Sequence, residues 1–433
     1  VIFENPFGVD GKKKKYPIVM NLLASRTRLA TIIGSTFEKV GIDYRDRAAR
    51  TLKPAFVSKK DAPVKQVVMK GDEVNLYEFP VVWHHYGDGG PYLSAAYVST
   101  VDPDTNVDNS AIQRAQVQGK NKLGLQLDIA SHNRWNLNKY EARNQPTPCF
   151  LWQGHHPLIM LGALQKIGYP ESHWERAGGF AEEPLRLVPS ETYGEKLMVP
   201  ADAEVVIEGV IRPGARDAEG PFGEYSQYLG EQRINPVMEV TCITCRQDAY
   251  WHATHPGHPD NVVLGAVSAE GAMYSALKKL FPTVQKIYVP NSGAGRHHAY
   301  ITVKKVRPGM GKDVILVALG SYYMMKHVFV FDDDVDIFDE TEVLRALAMR
   351  FQIDKDLVCI SGGACATNLD PSSPPSLLGG KGGFDCTVPL PPRPGWPPLF
   401  AFRSRIPDEV MKKVKIENYV SEDRISRIPT EPY

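Results

Sequence analysis

Between about residues 96 and 305 the chain keeps returning to short runs of β-branched residues, which favour strands over helices. Tyr97-Val-Ser-Thr-Val101, Leu123-Gly-Leu-Gln-Leu127, Glu204-Val-Val-Ile-Glu-Gly-Val-Ile211 and Val237-Met-Glu-Val-Thr-Cys-Ile-Thr244 show partial period-two alternation. That alternation sends successive side chains to opposite faces of a sheet. Helical patterns interrupt these runs near 133–145, 158–167 and 268–280. The expected centre is a barrel-like sheet with helical insertions.

The flanks read differently. Residues 1–95 alternate short apolar runs with helical patterns: Ile18–Leu23 as a strand, Arg28–Ile33 as a helix, Asn75–Pro80 as an extended segment. After 305, Lys312–Leu319 and His327–Phe331 read as strands and Glu340–Arg350 as a helix, the grammar of an α/β unit. The expectation is therefore an N-terminal α/β region (1–95), a central split β-barrel (96–305) and a C-terminal α/β domain (306–433). The last carries a proline-rich tail, Pro389–Pro398, expected to lie as an extended arm. The chain opens on Val1 and a strand-like Val1–Gly8, so a preceding segment is expected.

Fifty basic and fifty acidic side chains cancel, which removes any general attraction to nucleic acid or an anionic membrane. No run of about 18 apolar residues offers a transmembrane helix. Six cysteines in 433 residues do not make a disulfide scaffold, and no signal peptide is recognisable, so a cytoplasmic enzyme with free thiols is expected.

Chemistry concentrates at Glu219-Gly-Pro-Phe-Gly-Glu224, where two acids flank a turn stiffened by Pro221 and freed by Gly220 and Gly223. Near one basic residue, such a pair can divide its labour, one acid staying ionised and the other cycling a proton. A plain surface loop is the alternative. In Asn109-Ser-Ala-Ile-Gln-Arg114, the amide oxygen of Asn109 suits a hard cation and Arg114 presents a fixed positive fork. Ser131-His132 follows; an Asn oxygen with a His nitrogen suits Mn²⁺, although by spacing alone the pair is commonplace. Gly168–Gly178 adds Glu171, His173 and Glu175 as further ligand candidates. His252, His255 and His258 favour a polar loop near a pocket over a zinc site, because Pro256 and Gly257 break the helix their spacing would need. Cys242 and Cys245 read as buried thiols, Asp332–Asp336 as a charged strand end, and Gly379-Gly-Lys-Gly-Gly383 as an open loop without a Walker A motif, whose Lys381 could approach a phosphate.

In this order, Asn109–Arg114, His132, Glu219–Glu224, Phe331–Asp336 and Gly379–Lys381 resemble the UbiD family of reversible decarboxylases, which use prenylated FMN. The resemblance spans nearly the whole chain. It implies a flavin-reductase-like split barrel in the centre. Arg114, Glu219 and Glu224 are implied as catalytic residues, with Arg114 and Glu219 as an ion pair and Glu224 as proton donor. It also implies Ala111, Ile112, Gln113, Arg114, Ser131, His132 and Lys381 as cofactor contacts, and Asn109 and His132 as ligands of Mn²⁺, with K⁺ as a further expected cation. The family's third ligand is a Glu. Here His173 falls in register with it, between Glu171 and Glu175, and all three stay open. The implied reaction is non-oxidative decarboxylation of a carboxylic acid to CO₂ through a covalent substrate–cofactor adduct, with a flavin prenyltransferase as cofactor supplier and a homodimer or higher homo-oligomer as assembly. Tyr225 and Arg296-His-His298 point to a polar aromatic or heteroaromatic acid. An α,β-unsaturated acid, a flavin-free metal-dependent hydrolase and a non-catalytic assembly subunit are the competing readings.

Overall fold

The computed structural model describes residues 1–128, 131–365, 369–391, 399–401, 403–404, 406–421 and 424. Among them, nine strands form a central antiparallel sheet: β1 (Val67–Lys70), β2 (Tyr92–Leu93), β3 (Tyr97–Val101), β4 (Asp108–Ile112), β5 (Ala115–Gly119), β6 (Lys122–Leu125), β7 (Thr147–Gln153), β8 (Val205–Glu219) and β9 (Arg233–Cys245). The order β2-β5-β6-β9-β8-β7-β3-β4, with β1 added against β9, does not close on itself, which gives a split, barrel-like sheet. Both faces are covered. Along β7, Cys149 and Leu151 enter one apolar cluster while Phe150 and Trp152 enter another. Burial on both faces is why β7 reads as a near-continuous apolar run.

Six α-helices precede residue 281 among the described residues. Four meet the patterns at 28–33, 133–145, 158–167 and 268–280 with moved ends, and two, at 40–48 and 173–181, have no counterpart among those patterns. The six are α1 (Arg26–Ile33), α2 (Val40–Ala48), α3 (His132–Ala142), α4 (Pro157–Ala163), α5 (His173–Ala181) and the 22-residue α6 (Pro259–Leu280). No helix of the described residues is long and apolar enough to cross a membrane. A second sheet comprises β10 (Val284–Tyr288), β11 (His298–Val303), β12 (His327–Phe331), β13 (Leu357–Cys365) and β14 (Leu378–Asp385), in the order β10-β11-β12-β14-β13. Since β11 pairs in parallel with β12, the boundary drawn at 305/306 cuts through one sheet. The boundary at 95/96 likewise separates β1 and β2 from the sheet they complete.

Four expectations are corrected. Lys312–Leu319 is not a strand but lies within helix α7 (Met310–Ser321), followed later by α8 (Glu340–Arg350). Its buried positions, Met310, Gly311, Val314, Ile315, Ala318 and Leu319, repeat at helical spacing. Gly379–Gly383 is not a loop but part of β14, paired on both sides. Glycine there serves packing: a Cβ at Gly383 would sit 2.0 Å from the Ile315 side chain of α7. Asn75–Pro80 contains a short 3₁₀ turn, Leu76–Glu78, capped by the Asn75 side chain, and the Ile18–Leu23 strand shrinks to Ile18–Val19. Cys242 and Cys245 are free and buried on β9. The acids after β12 are structural: Asp334 pairs with Arg350 at 2.6 Å and Asp332 accepts the Val388 amide at 2.7 Å. Residues 392–398 of the proline-rich tail lie outside the described residues.

Candidate active site

Strand β8 ends on Glu219, and the chain turns through Gly220, whose φ of +95° only glycine adopts without strain. Phe222–Gly223 then pairs with Leu229–Gly230 as a small hairpin. Gly223 has ordinary dihedrals; its missing side chain is needed for space, since a Cβ would lie 2.3 Å from the His85 ring. Two backbone ties hold the turn: the Gly223 amide donates to Asp88 and the Gly89 amide to the Pro221 carbonyl, both at 2.8 Å.

Arg114, between β4 and β5, brings the two acids together. Its Nε and Nη2 donate to the two oxygens of Glu219 at 2.9 and 2.8 Å, while Nη1 donates to Glu224. Glu219 is fully buried, and two further donors complete it: Tyr92 Oη at 2.9 Å and Asn235 Nδ2 at 2.9 Å. Burial and the neighbouring Glu219 charge push Tyr92 up, keeping it a protonated donor. Glu224 is buried with Arg114 as its side-chain hydrogen-bond partner, and Arg296 acts on it from farther off. Burial raises its pKa, Arg114 opposes the rise and the Glu219 charge adds to it. Burial works against the charge of Arg114, but the two carboxylates outweigh it and raise its pKa. Phe222 closes one side, 5.1 Å below the guanidinium.

Glu224 and Arg114 face a cavity of about 540 Å³. Asn109, Ala111, Ile112, Gln113, Ser131, His132 and His173 line the same space, so, leaving aside the alternative ligands Glu171 and Glu175, all but two of the implied catalytic, cofactor and metal residues gather there. Glu219 lies directly behind Arg114. Lys381 is the other exception: from β14 its Nζ donates to the carbonyls of Leu319 and Tyr323 at 3.2 and 2.9 Å, one layer behind the cavity wall. Ser131 caps α3 and is fixed by Gln113 at 3.2 Å, which sets His132 on the first turn. Ser172 caps α5, so His173 begins that helix and points inward, while Glu171 is paired with Arg176. Neither Glu171 nor Glu175 reaches the cavity lining.

His173 is the informative ligand candidate. Its Nε2 lies 3.3 Å from the Gln165 carbonyl, which can only accept, so Nε2 carries the proton and Nδ1 keeps its lone pair. That Nδ1 is buried without a partner, as is the Asn109 amide nitrogen. Burial, then the nearby His132, pushes His173 down to about 4, so it is neutral. A neutral imidazole lone pair beside an amide and a second imidazole is a donor set that suits Mn²⁺. Among the described residues no group of three His, Cys, Asp or Glu side chains is placed to hold a metal, and this set has only two such side chains, both histidines. Tyr92, Asn235 and Asp88 escaped sequence reasoning; a Tyr beside Gly89-Gly90-Pro91 and an Asn inside a strand were the available signals.

Comparison with known proteins follows the same lines. Residues 55–259 match the 3-octaprenyl-4-hydroxybenzoate carboxy-lyase Rift-related domain, and residues 262–386 match the C-terminal domain of that family. The chain belongs to the UbiD family. It is 31% identical over 378 residues to the anhydromevalonate phosphate decarboxylase of Methanothermobacter thermautotrophicus, covering 86% of this chain and 88% of that one. The UbiD-class enzyme HmfF from Pelotomaculum thermopropionicum, solved with FMN, superposes with a TM-score of 0.87 at 33% identity, over 94% of this chain and 89% of that one. An evolved dimeric form of HmfF, solved with prFMN, gives 0.83 at 32% identity over 94% and 88%. Apo 3,4-dihydroxybenzoic acid decarboxylase (AroY) from Klebsiella pneumoniae gives 0.82 at 25% identity over 94% and 87%. The protein is accordingly a UbiD-family carboxy-lyase, a decarboxylase by class.

Proposed function

We propose that this UbiD-family enzyme catalyses the reversible, non-oxidative decarboxylation of an aromatic or heteroaromatic carboxylic acid, using prenylated FMN held through Mn²⁺. The observation that carries the reading is the Glu219–Arg114–Glu224 array, with Arg114 and Glu224 opening onto the cavity that also holds Asn109, His132 and His173. The orphaned Nδ1 of His173 and the unpartnered amide nitrogen of Asn109 support a bound group at that end. A metal there would be ligated by Asn109, His132 and His173, and would in turn take phosphate oxygens of the flavin. The backbone of Ala111–Gln113 and the Ser131–His132 turn would border the cofactor. The HmfF complexes with FMN and prFMN support this choice, and a flavin prenyltransferase is the implied supplier. A homodimer or higher assembly belongs to the same proposal, in line with the dimeric HmfF form.

When bound, prenylated FMN supplies the electron sink for the pair left as CO₂ departs. The remaining work falls to the chain. Arg114, locked by Glu219, positions Glu224 and keeps its charge throughout. Glu224, in its protonated form, gives a proton from its carboxyl oxygen to the carbon that has lost CO₂, and takes another from solvent before the next turnover. In the carboxylation direction the same oxygen accepts the proton. Where substrate and cofactor displace water from the cavity, these charge interactions strengthen.

Mass spectrometry and metal analysis of protein co-produced with a flavin prenyltransferase test the reading. Flavin at high occupancy together with Mn²⁺ is the expected result. Neither FMN nor its prenyl adduct at appreciable occupancy would overturn it and favour a flavin-free hydrolase or an assembly subunit. Turnover of a panel of aromatic and α,β-unsaturated acids in heavy water then assigns the substrate class and shows which carbon receives the proton.

A further inference from the structure

All three guanidinium nitrogens of Arg114 are committed to Glu219 and Glu224. On the wall formed by Tyr225 and α6 stands a second arginine in the opposite situation. Arg296 lines the same cavity, and among the described residues it forms no ion pair; its hydrogen bond is a long one of 3.5 Å to the Ala294 carbonyl. Its guanidinium lies flat over the Tyr225 ring, 4.2 Å from the centroid. Room for it is built into α6: a Cβ at Gly265 would stand 2.8 Å from the Arg296 guanidinium carbon and 2.9 Å from Nη2.

The plate beneath Arg296 is fixed. His297 Nδ1 lies 3.0 Å from the Met324 carbonyl and so carries the proton, which leaves Nε2 to accept the Tyr225 hydroxyl at 3.0 Å. The Tyr225 proton is thereby committed, and Arg296 supplies the uncommitted donors of this wall. The cavity's other cation without an ion pair, Lys166, is exposed and lies over Tyr322 and Tyr323, next to the Gln165 that holds His173. Lys166 thus serves the metal end. A half-buried guanidinium that is stacked, given clearance and without an ion pair, acting on the Glu224 carboxyl only through space, is arranged to receive an anion.

We infer that Arg296, on its Tyr225 plate, is a second anion subsite, and that the acid this enzyme takes carries a second anionic oxygen group, a carboxylate or a phosphate, away from the carboxylate that leaves. The inference rests on the decarboxylase reading and narrows its substrate class. It also places the enzyme where the product keeps one anionic group after losing CO₂.

Calorimetry on holoenzyme tests this with benzoate, benzene-1,3- and 1,4-dicarboxylate and 4-phosphonobenzoate as probes. One charge-assisted pair corresponds to roughly a ten- to hundredfold gain in affinity, so at least one dianion should bind that much more tightly than benzoate. In Arg296→Met the dianion-to-benzoate ratio should collapse towards one, and in Arg296→Lys it should be kept in part. Gly265→Ala should lower the ratio too, because alanine is well tolerated in a helix while its Cβ displaces the guanidinium. The carboxylate and phosphonate arms identify which group the subsite takes. The inference is overturned if all dianions bind like benzoate, if Arg296→Met weakens every probe by one common factor, or if that variant sheds its flavin, which would give Arg296 to the cofactor. Tight, Arg296-dependent dianion binding without turnover of any acid would count against the decarboxylase reading and leave the subsite standing.

Discussion

Tyr92→Phe isolates the contribution of one hydroxyl to the central ion pair. Glu219 is fully buried and receives four donors, two from Arg114 and one each from Tyr92 and Asn235. Deleting the hydroxyl leaves Oε1 with Arg114 Nε alone, and phenylalanine keeps the ring packed at 4.3 Å from Phe222. A hydrogen bond to a charged group contributes roughly 1.5–3 kcal/mol, so stability should fall by about that amount. If about half of the loss is expressed as looser positioning of Arg114, the barrier rises by about 1 kcal/mol and kcat falls roughly five- to tenfold. Denaturant titration gives the first number and steady-state decarboxylation by holoenzyme the second, with KM expected to change little. Asn235→Ala should act on the same carboxylate, so the double variant should deviate from additivity. A Tyr92→Phe protein with unchanged stability and unchanged kcat would refute the claim that Glu219 depends on its four donors.

Glu224→Gln keeps the shape and removes the transferable proton, so turnover should fall by about 10²–10⁴ while flavin and metal content measured by mass spectrometry stay unchanged. Glu224 donates only when protonated, so activity is lost as pH rises through its folded-state pKa, which burial raises and Arg114 opposes. Glu219→Gln removes a raising influence and leaves the Arg114 charge to Glu224, so the alkaline limb of the kcat–pH profile should move to lower pH. Gly223→Ala places a Cβ 2.3 Å from the His85 ring and should cost roughly 1–3 kcal/mol by overpacking, visible in the same denaturant titration. Lys381→Ala should lower thermal stability while cofactor content holds, because its Nζ ties the Leu319 and Tyr323 carbonyls; loss of flavin with stability intact would restore Lys381 as a cofactor contact.

What could be read in the sequence was local and chemically unusual. Glu219–Glu224 and Asn109–Arg114 each pack their functional groups into six residues, and β3, β12 and α8 have the bounds their patterns predict. What could not be read depends on register between distant strands. Tyr92 reaches Glu219 because β2 pairs with β5 beside Arg114, and Asn235 because β9 runs against β8 opposite Asp217. Neither relation leaves a mark within one segment. A buried tyrosine hydroxyl must find a partner, but the sequence does not say where. Lys312–Leu319 differs for another reason: a six-residue apolar run, Val314–Leu319, cannot be assigned by periodicity alone, and its helix is settled by packing against β12 and β14. The glycine-rich composition of β14 suggests a loop, whereas Gly383 within it lets α7 approach.

The two acids of the hairpin differ chiefly in how many donors they receive, and that difference supports the proposed division of labour. Taking a carboxylate out of water costs several kcal/mol even after relaxation. Four donors, two of them a bidentate guanidinium fork, can offset this for Glu219 and hold it as an anion. Glu224 shares the same guanidinium through Nη1 alone while standing near the Glu219 charge, so its ionised form is less well supported. Arg114 between two carboxylates balances one negative charge, and Glu224, with Arg296 acting on it only through space, is left to hold or release a proton. Separating the acids by Gly220-Pro221-Phe222-Gly223 places one behind the guanidinium and the other on the cavity side, so the group that changes protonation is the one substrate can touch.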